Sequence, residues 1–293
     1  MTVPNLHDLL QAAVNGLLLG GLFALTALGL SLALGVMRLV NLVHGELVIF
    51  GSYASFLILQ HTGLDPLLSL PLVAAAGAAL TYPVQRLLLQ PLAKHGADAP
   101  LLTTFALSII AQNLLIIWLS GDTHSVDRSY TRSSVSIGAL NVPTIYLISF
   151  AISAVICAVV HLLITRTAFG RQLRAGSENP EAAAVIGVRV PRLHALTFAL
   201  AGAVAAVGGA LTAMSFSFNP TSGSSWLLTG FAVVVLGGLG SVKGTAVGGF
   251  LLGLAEACGA LVFGDGYRLF VGLVVFIAFL AVRPQGIYGR ALA

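Results

Sequence analysis

Long apolar runs separated by short polar connections fill the chain from residue 9 to residue 282. A lipid-spanning helix needs about 20 apolar residues. Runs that reach or approach this length cover residues 9–36, 39–59, 67–89, 101–119, 144–164, 194–214, 226–240, 244–263 and 269–282. Lipid offers no hydrogen-bond partner to backbone N–H and C=O groups, so such runs must satisfy them internally. The pattern predicts an all-α, polytopic transmembrane helix bundle with about 8–9 membrane segments, some broken or re-entrant. Two runs are irregular. Residues 39–59 carry Asn41, His44, Gly45 and Glu46, and residues 226–263 are interrupted by GGLGSVKG, which reads as two short spans or a re-entrant pair. No tandem repeat of short period is visible, and residues 1–293 read as a single transmembrane domain.

Two connections are long enough to carry structure. In residues 121–143, GDTHSVDRSYTRSSVSIGALNVP, the alternation of Ser and Thr with Val and Ile predicts a short hairpin. In residues 165–193, NPEAAAVIG specifies a helix over residues 180–186 with both ends marked. Asn179 is a good N-cap, Pro180 suits the first helical position, and Glu181 puts negative charge at the positive end of the dipole. Ala182 and Ala183 favour the helix, and Gly187 suits a left-handed end. A helix of about two turns is marginal alone, so it must pack on the bundle or on a cytoplasmic partner.

Basic residues set the orientation. Arg38, Arg86, Lys94, Arg166, Arg171, Arg174, Arg189, Arg192, Lys243, Arg283 and Arg290 fall on one side if the chain crosses nine times; Arg128, Arg132 and Arg268 fall on the other. Cations are retained on the cytoplasmic side, which places residues 165–193 and the C-terminus inside, and residues 121–143 and the N-terminus outside.

Composition narrows the class. The chain is 57% hydrophobic and only 8% charged, against about 25% charged in an average soluble domain. That excludes a soluble enzyme, a disordered chain and a nucleic-acid-binding module. The net charge of +4 then reflects orientation rather than nucleic-acid binding. The N-terminal MTVPNLHDLLQ lacks the basic stretch of a secretory signal, so the first run is expected to stay as a membrane helix. Cys157 and Cys258 sit inside apolar runs as small hydrophobes, and no Cys/His spacing predicts a metal or cofactor.

GGLGSVKGT has a P-loop flavour but the wrong spacing, since Lys243 follows Val242 and precedes Gly244. The chain therefore cannot hydrolyse its own ATP. Gly244, Gly248, Gly249 and Gly253 instead read as a close-packing helix face, as do Gly16 and Gly20. Asn41, His44 and Glu46 form the main polar cluster at membrane depth. Such groups line a path or brace a broken helix, Glu46 pairing with His44 or with a basic residue elsewhere; on a continuous helix Asn41 and Gly45 would share a face. No protease-like Ser/His or paired-Asp arrangement appears, so neither an enzyme nor a mere membrane scaffold is the favoured class.

At this point the residues resemble a family. Glu181-Ala182-Ala183, three residues, then Gly187 resembles the start of the EAA loop of ABC importer permeases. The usual continuation is absent: Thr197 stands where that loop has Ile, and no Leu-Pro follows. This is how the branched-chain amino acid group looks. GLSLALGVMRLVNLVHGELVIFGSY, FGRQLRAGSENPEAAAVIGV, VVVLGGLGSVKGTAVGGFLLGLAEA and VRPQGIYGR each resemble signatures of that group, with the LivH-type permease subunit nearest. The resemblance implies an inner-membrane permease for Leu, Ile or Val, with urea or short-chain amides as the alternative. It implies a second homologous permease subunit in a heterodimer, two cytoplasmic ATP-binding subunits and a periplasmic substrate-binding protein. Asn179, Pro180, Glu181, Ala182, Ala183 and Gly187 would couple to the ATPases.

Overall fold

The computed structural model describes residues 5–37, 39–96 and 98–289. Its elements in chain order begin with α1 Leu6–Met37, α2 His44–Thr62 and α3 Pro66–Pro83. A π-helical turn, Val84–Leu89, carries α3 into the short α4 Gln90–Leu92, directly after Pro83 removes a backbone donor. Then come α5 Asp98–Leu119, α6 Ser129–Arg132, and the hairpin of β1 Ser134–Ile137 and β2 Leu140–Pro143, which pair antiparallel with Val135 opposite Val142. The rest is α7 Thr144–Arg166, α8 Ala168–Glu178, α9 Pro180–Val185, α10 Val190–Ser215, α11 Gly223–Gly237, α12 Val242–Phe263 and α13 Arg268–Val282.

Among the described residues, 7 helices are long and apolar enough to cross a membrane: α1, α3 with α4, α5, α7, α10, α12 and α13 with the turn before it. The irregular run 39–59 becomes α2, which is not, and the run 226–263 becomes α11 and α12, of which only α12 is. The 15 residues of α11 span only about 22 Å at about 1.5 Å each, short of an apolar core of about 30 Å. The centre of the bundle is α1 against α10, whose apolar stretches are 83% and 78% buried, whereas α5 and α13 are 6% buried and form the flanks.

The connections gather at opposite ends. At the hairpin end, His7 Nε2 meets Ala139 O at 2.8 Å, Gln11 Nε2 donates to Asn141 O at 2.7 Å, and Arg128 donates to Gly63 O at 3.2 Å. At the other end Val36 packs with Leu173 and Leu193, joining the end of α1 to α8 and α10. Arg86, Lys94, Arg166, Arg171, Arg174, Arg189, Arg192, Lys243 and Arg283 lie in or beside the connections at this second, basic end, while Arg128, Arg132 and Arg268 lie at the hairpin end. Arg38 and Arg290 lie outside the described residues.

Helix directions reveal an internal duplication. From the hairpin end, α1 descends to the basic end; the chain then doubles back without helix through residues 39–43, and α2 begins at His44, beside Thr26 in the middle of α1. From the basic end, α10 rises to the hairpin end; the chain doubles back through residues 216–222, and α11 begins at Gly223. The starts of these half-helices touch: a Cβ on Gly45 would collide with the Gly223 carbonyl. The same turn opens both, with His44 N donating to Asn41 O at 3.4 Å and Ser222 N donating to Asn219 O at 3.1 Å. The spacing from Asn to Gly is also shared, Asn41 to Gly45 and Asn219 to Gly223.

The following helices obey the same relation. Antiparallel packing of α12 on α1 occurs where Gly249 and Gly253 face Gly20 and Gly16. Likewise α3 packs antiparallel on α10 where Gly77 and Thr81 face Gly202. Small residues allow these close approaches. The units α1–α2–α3 and α10–α11–α12 are thus related by a pseudo-two-fold axis across the bundle, near the Gly45–Gly223 contact. Gly244 and Gly248 serve a second surface, facing Gly237 and Val233 of α11.

Candidate functional site

The two predicted groups of site residues occupy separate places. Asn41, His44 and Glu46 sit where the half-helices meet; residues 179–187 sit at the basic end.

At the junction the expected continuous helix is broken. Asn41 precedes α2 rather than sharing a helical face with Gly45. Non-helical backbone at this depth must find partners. Thr104 of α5 supplies one, accepting from Leu42 N at 3.2 Å, while its single proton faces Leu101 O at 2.9 Å and Val40 O at 3.4 Å. In the second unit the backbones of His124 and Phe218 pair reciprocally at 2.8 and 2.9 Å. Glu46 meets neither His44 nor a basic residue, the two partners expected for it, and His44 has a partner of its own. His44, 1% exposed, donates through Nε2 to Thr26 O at 2.8 Å. Glu46, 5% exposed, accepts at Oε1 from Ser108 Oγ at 3.3 Å. Its carboxylate also lies against Gly223, at the positive end of the α11 dipole.

A cavity of about 630 Å³ opens beside this junction, between α2, α3, α5 and α10. Leu47, Phe50, Leu107, Ala111, Leu114 and Phe198 are among its apolar walls, and Glu46 and Tyr53 also line it. The Tyr53 ring meets Phe218 edge-on at 5.0 Å, and Phe56 lies 4.7 Å from His124, an aromatic cluster toward the hairpin end. Thr104, Ser108 and Tyr53 were not singled out from sequence. Thr104 and Ser108 are four apart in α5 with Phe105, Ala106 and Leu107 between them, so they share one helical face, and that was the available signal.

At the basic end, α9 closely follows expectation. The Asn179 side chain accepts from Ala182 N at 2.9 Å, and Gly187 adopts φ 88°. Val188 N donates to Ala183 O and Gly187 N to Ala184 O, both at 3.0 Å, which is a Schellman ending. The helix stops at Val185, one residue earlier than predicted. Ala183 is 2% exposed and anchors it to the bundle, whereas Val185 and Ile186 are 88% and 75% exposed. Pro180, Glu181 and Ala182 are exposed along with them.

A polytopic bundle whose broken helices start at its middle, beside a lined cavity, is the architecture of a membrane transport permease. The chain belongs to the branched-chain amino acid permease family: the family model described as "Branched-chain amino acid transport system / permease component" matches residues 12–280. It is 32% identical to the high-affinity branched-chain amino acid transport system permease protein BraD of Pseudomonas aeruginosa, over 98% of each chain. It is 30% identical to LivH of Escherichia coli, a protein described in the same terms, over 96% of each chain. The ribose import permease protein RbsC of Bacillus subtilis is 29% identical over 96% of this chain and 85% of that one. No solved structure matches the chain.

Proposed function

We propose that this chain is one membrane-spanning subunit of an ABC importer that moves Leu, Ile and Val across the bacterial inner membrane. The observation that carries the reading is the near-full-length likeness to permeases named for branched-chain amino acid transport. ATP is hydrolysed by separate cytoplasmic subunits, and a periplasmic protein delivers substrate at the hairpin end. A second homologous permease completes the path. Asn179, Pro180, Glu181, Ala182, Ala183 and Gly187 form the coupling helix, and the exposed Val185 and Ile186 are the apolar contact it offers an ATPase. Movement of α9 would pass through α8 to α10, which packs on α1, α2 and α3. Asn41, His44 and Glu46 hold the junction of the half-helices on the substrate path.

The test is uptake of labelled L-leucine by proteoliposomes containing this chain, its permease partner and the ATPases, with the binding protein outside and ATP inside. ATP-dependent uptake, competed by isoleucine and valine and not by urea or ribose, is expected. Uptake of urea, amides or ribose in place of leucine would overturn the substrate assignment, and uptake without ATPase subunits would overturn the importer class.

A further inference from the structure

We propose that the exposed face of residues 217–235, the turn before α11 and α11 itself, is the surface this subunit presents to its partner permease. Its hydroxyl-bearing part, toward the hairpin end, lines a water-filled path, and its apolar part, toward the basic end, packs on the partner and seals that path. This rests on the transport reading above and adds which residues form the wall.

The face changes character at mid-depth. Phe218 is held at the hairpin end by the His124 backbone, and Gly223 touches Gly45 in the middle of the bundle. Along this stretch and just beyond it, Ser217, Thr221, Ser224 and Ser225 are exposed. Thr221 Oγ1 donates to Asn219 Oδ1 at 2.8 Å and Ser224 Oγ to Thr221 O at 3.3 Å. The Ser217 and Ser225 hydroxyls have no hydrogen-bond partner among the described residues. Toward the basic end the same stripe turns apolar. Thr221, Ser224, Leu228, Phe231 and Val235 recur at intervals of three and four and so share one helical face. Leu228 is 48% exposed, and Phe231 and Val235 are half-buried. Elsewhere α11 is turned into its own subunit, with Thr229, Ala232, Val233 and Leu236 buried.

Lipid does not fit the hydroxyl-bearing part. Hydrocarbon offers no partner to exposed hydroxyls or to the non-helical backbone of residues 216–222, and such backbone is tolerated at this depth only inside protein or beside water. The first unit shows the contrast. In its matching turn, residues 39–43, Thr104 of α5 accepts from Leu42 N, and the side chain left exposed is the apolar Val40. Helix α13 shows it again, exposing Phe270, Val274 and Ile277, which suit lipid. A wet groove on the side of a bundle needs a second protein to wall it from the acyl chains. A permease of the same fold meets that need. About a two-fold axis like faces meet, so hydroxyls oppose hydroxyls and the Leu228 stripe opposes an apolar stripe. Hydroxyls both donate and accept, so they serve the ammonium and the carboxylate of an amino acid alike, from the hairpin end to mid-depth.

The experiment uses the complex of this chain, its permease partner and the ATPases in lipid nanodiscs, where both membrane faces meet the reagents. In a Cys157→Ala, Cys258→Ala background, Thr221→Cys and Ser225→Cys are compared with Val274→Cys, in the middle of α13. A permanently charged thiol reagent should label the first two about tenfold or more faster than the third, because it enters water and not hydrocarbon. Separately, Leu228→p-benzoylphenylalanine is irradiated and its adducts identified by mass, with the same replacement at Val274 as the lipid-facing control. Attachment of Leu228 to the partner permease, and of Val274 to lipid, is the expected result. Ser225→Leu should lower leucine uptake while the partner permease still co-purifies, and Ser225→Thr should keep it. If leucine is imported, yet Leu228 attaches only to lipid, to an ATPase or to a second copy of this chain, the surface is wrong and the importer reading stands. Equal labelling at positions 225 and 274, or normal uptake in Ser225→Leu, would remove the hydroxyls from any path. If no second permease enters the complex, the importer reading fails first and this surface fails with it.

Discussion

At the junction of the half-helices, one hydrogen atom decides whether the backbones can meet. Gly45 and Gly223 touch so closely that any side chain at Gly45 would strike the Gly223 carbonyl, and a Cβ on Gly223 would lie 2.5 Å from Glu46 Oε1. Gly45→Ala should therefore lower the stability of the purified chain by about 1–3 kcal/mol or more, the usual cost of overpacking. Thermal unfolding in detergent reads this out, with Gly121→Ala as a control because nothing lies within 4 Å of its Cβ position. Thr104 makes a second residue-scale test. Its hydroxyl oxygen accepts from the backbone of Leu42 where no helix does. Thr104→Val keeps the shape and removes the hydroxyl, so a destabilisation of about 1–3 kcal/mol is expected for the stranded Leu42 N–H. An unchanged melting temperature would show that this N–H finds another partner.

At the scale of elements, what the sequence discloses depends on where each element's partners lie. Helix α9 was legible almost to the residue because its cap, its first-turn proline and its terminal glycine are adjacent in sequence and each acts locally. The hairpin over residues 134–143 was legible for the same reason. The starts of α2 and α11 were not, because what ends helix and permits extended chain there is Thr104, 62 residues from Leu42, and His124, across from Phe218. Asn41 was consequently expected on a helix it does not join, and Glu46 was expected to pair with His44 or with a basic residue elsewhere, when Ser108 holds it instead. The local logic of α9 also makes its prediction sharp. Gly187→Val forces a β-branched residue into φ 88°, and Asn179→Ala removes a cap ordinarily worth about 0.5–2 kcal/mol. Both variants should insert in the membrane and keep the bundle, yet co-purify with less ATPase and import poorly. Normal ATPase recovery and uptake in both would remove α9 from coupling, and failure to insert would assign it a purely structural role.

At the scale of the molecule, the inverted arrangement explains how one bundle can serve both surfaces. The two half-helices start together at mid-depth and leave in opposite directions, α2 toward the hairpin end and α11 toward the basic end. In the proposed transport cycle, a group held where they meet would be flanked by one unit leading to each surface, and rocking one unit on the other would expose it to either side in turn. That sequence of events would have a direction only if the ends are assigned. The orientation proposed rests on the positive-inside bias: the described Lys and Arg of the basic end outnumber Arg128, Arg132 and Arg268 at the hairpin end, and such an excess is ordinarily retained in the cytoplasm. A cysteine replacing Ser134, exposed on the hairpin, should therefore react in intact cells with a membrane-impermeant maleimide. One replacing Arg283, exposed beyond the end of α13, should react only after permeabilisation. Because both positions are exposed, silence at either one reports the barrier rather than burial. Labelling at position 283 in intact cells with none at 134 would invert the protein, turn the proposed coupling helix away from any cytoplasmic ATPase, and remove the physical basis for import driven from that side.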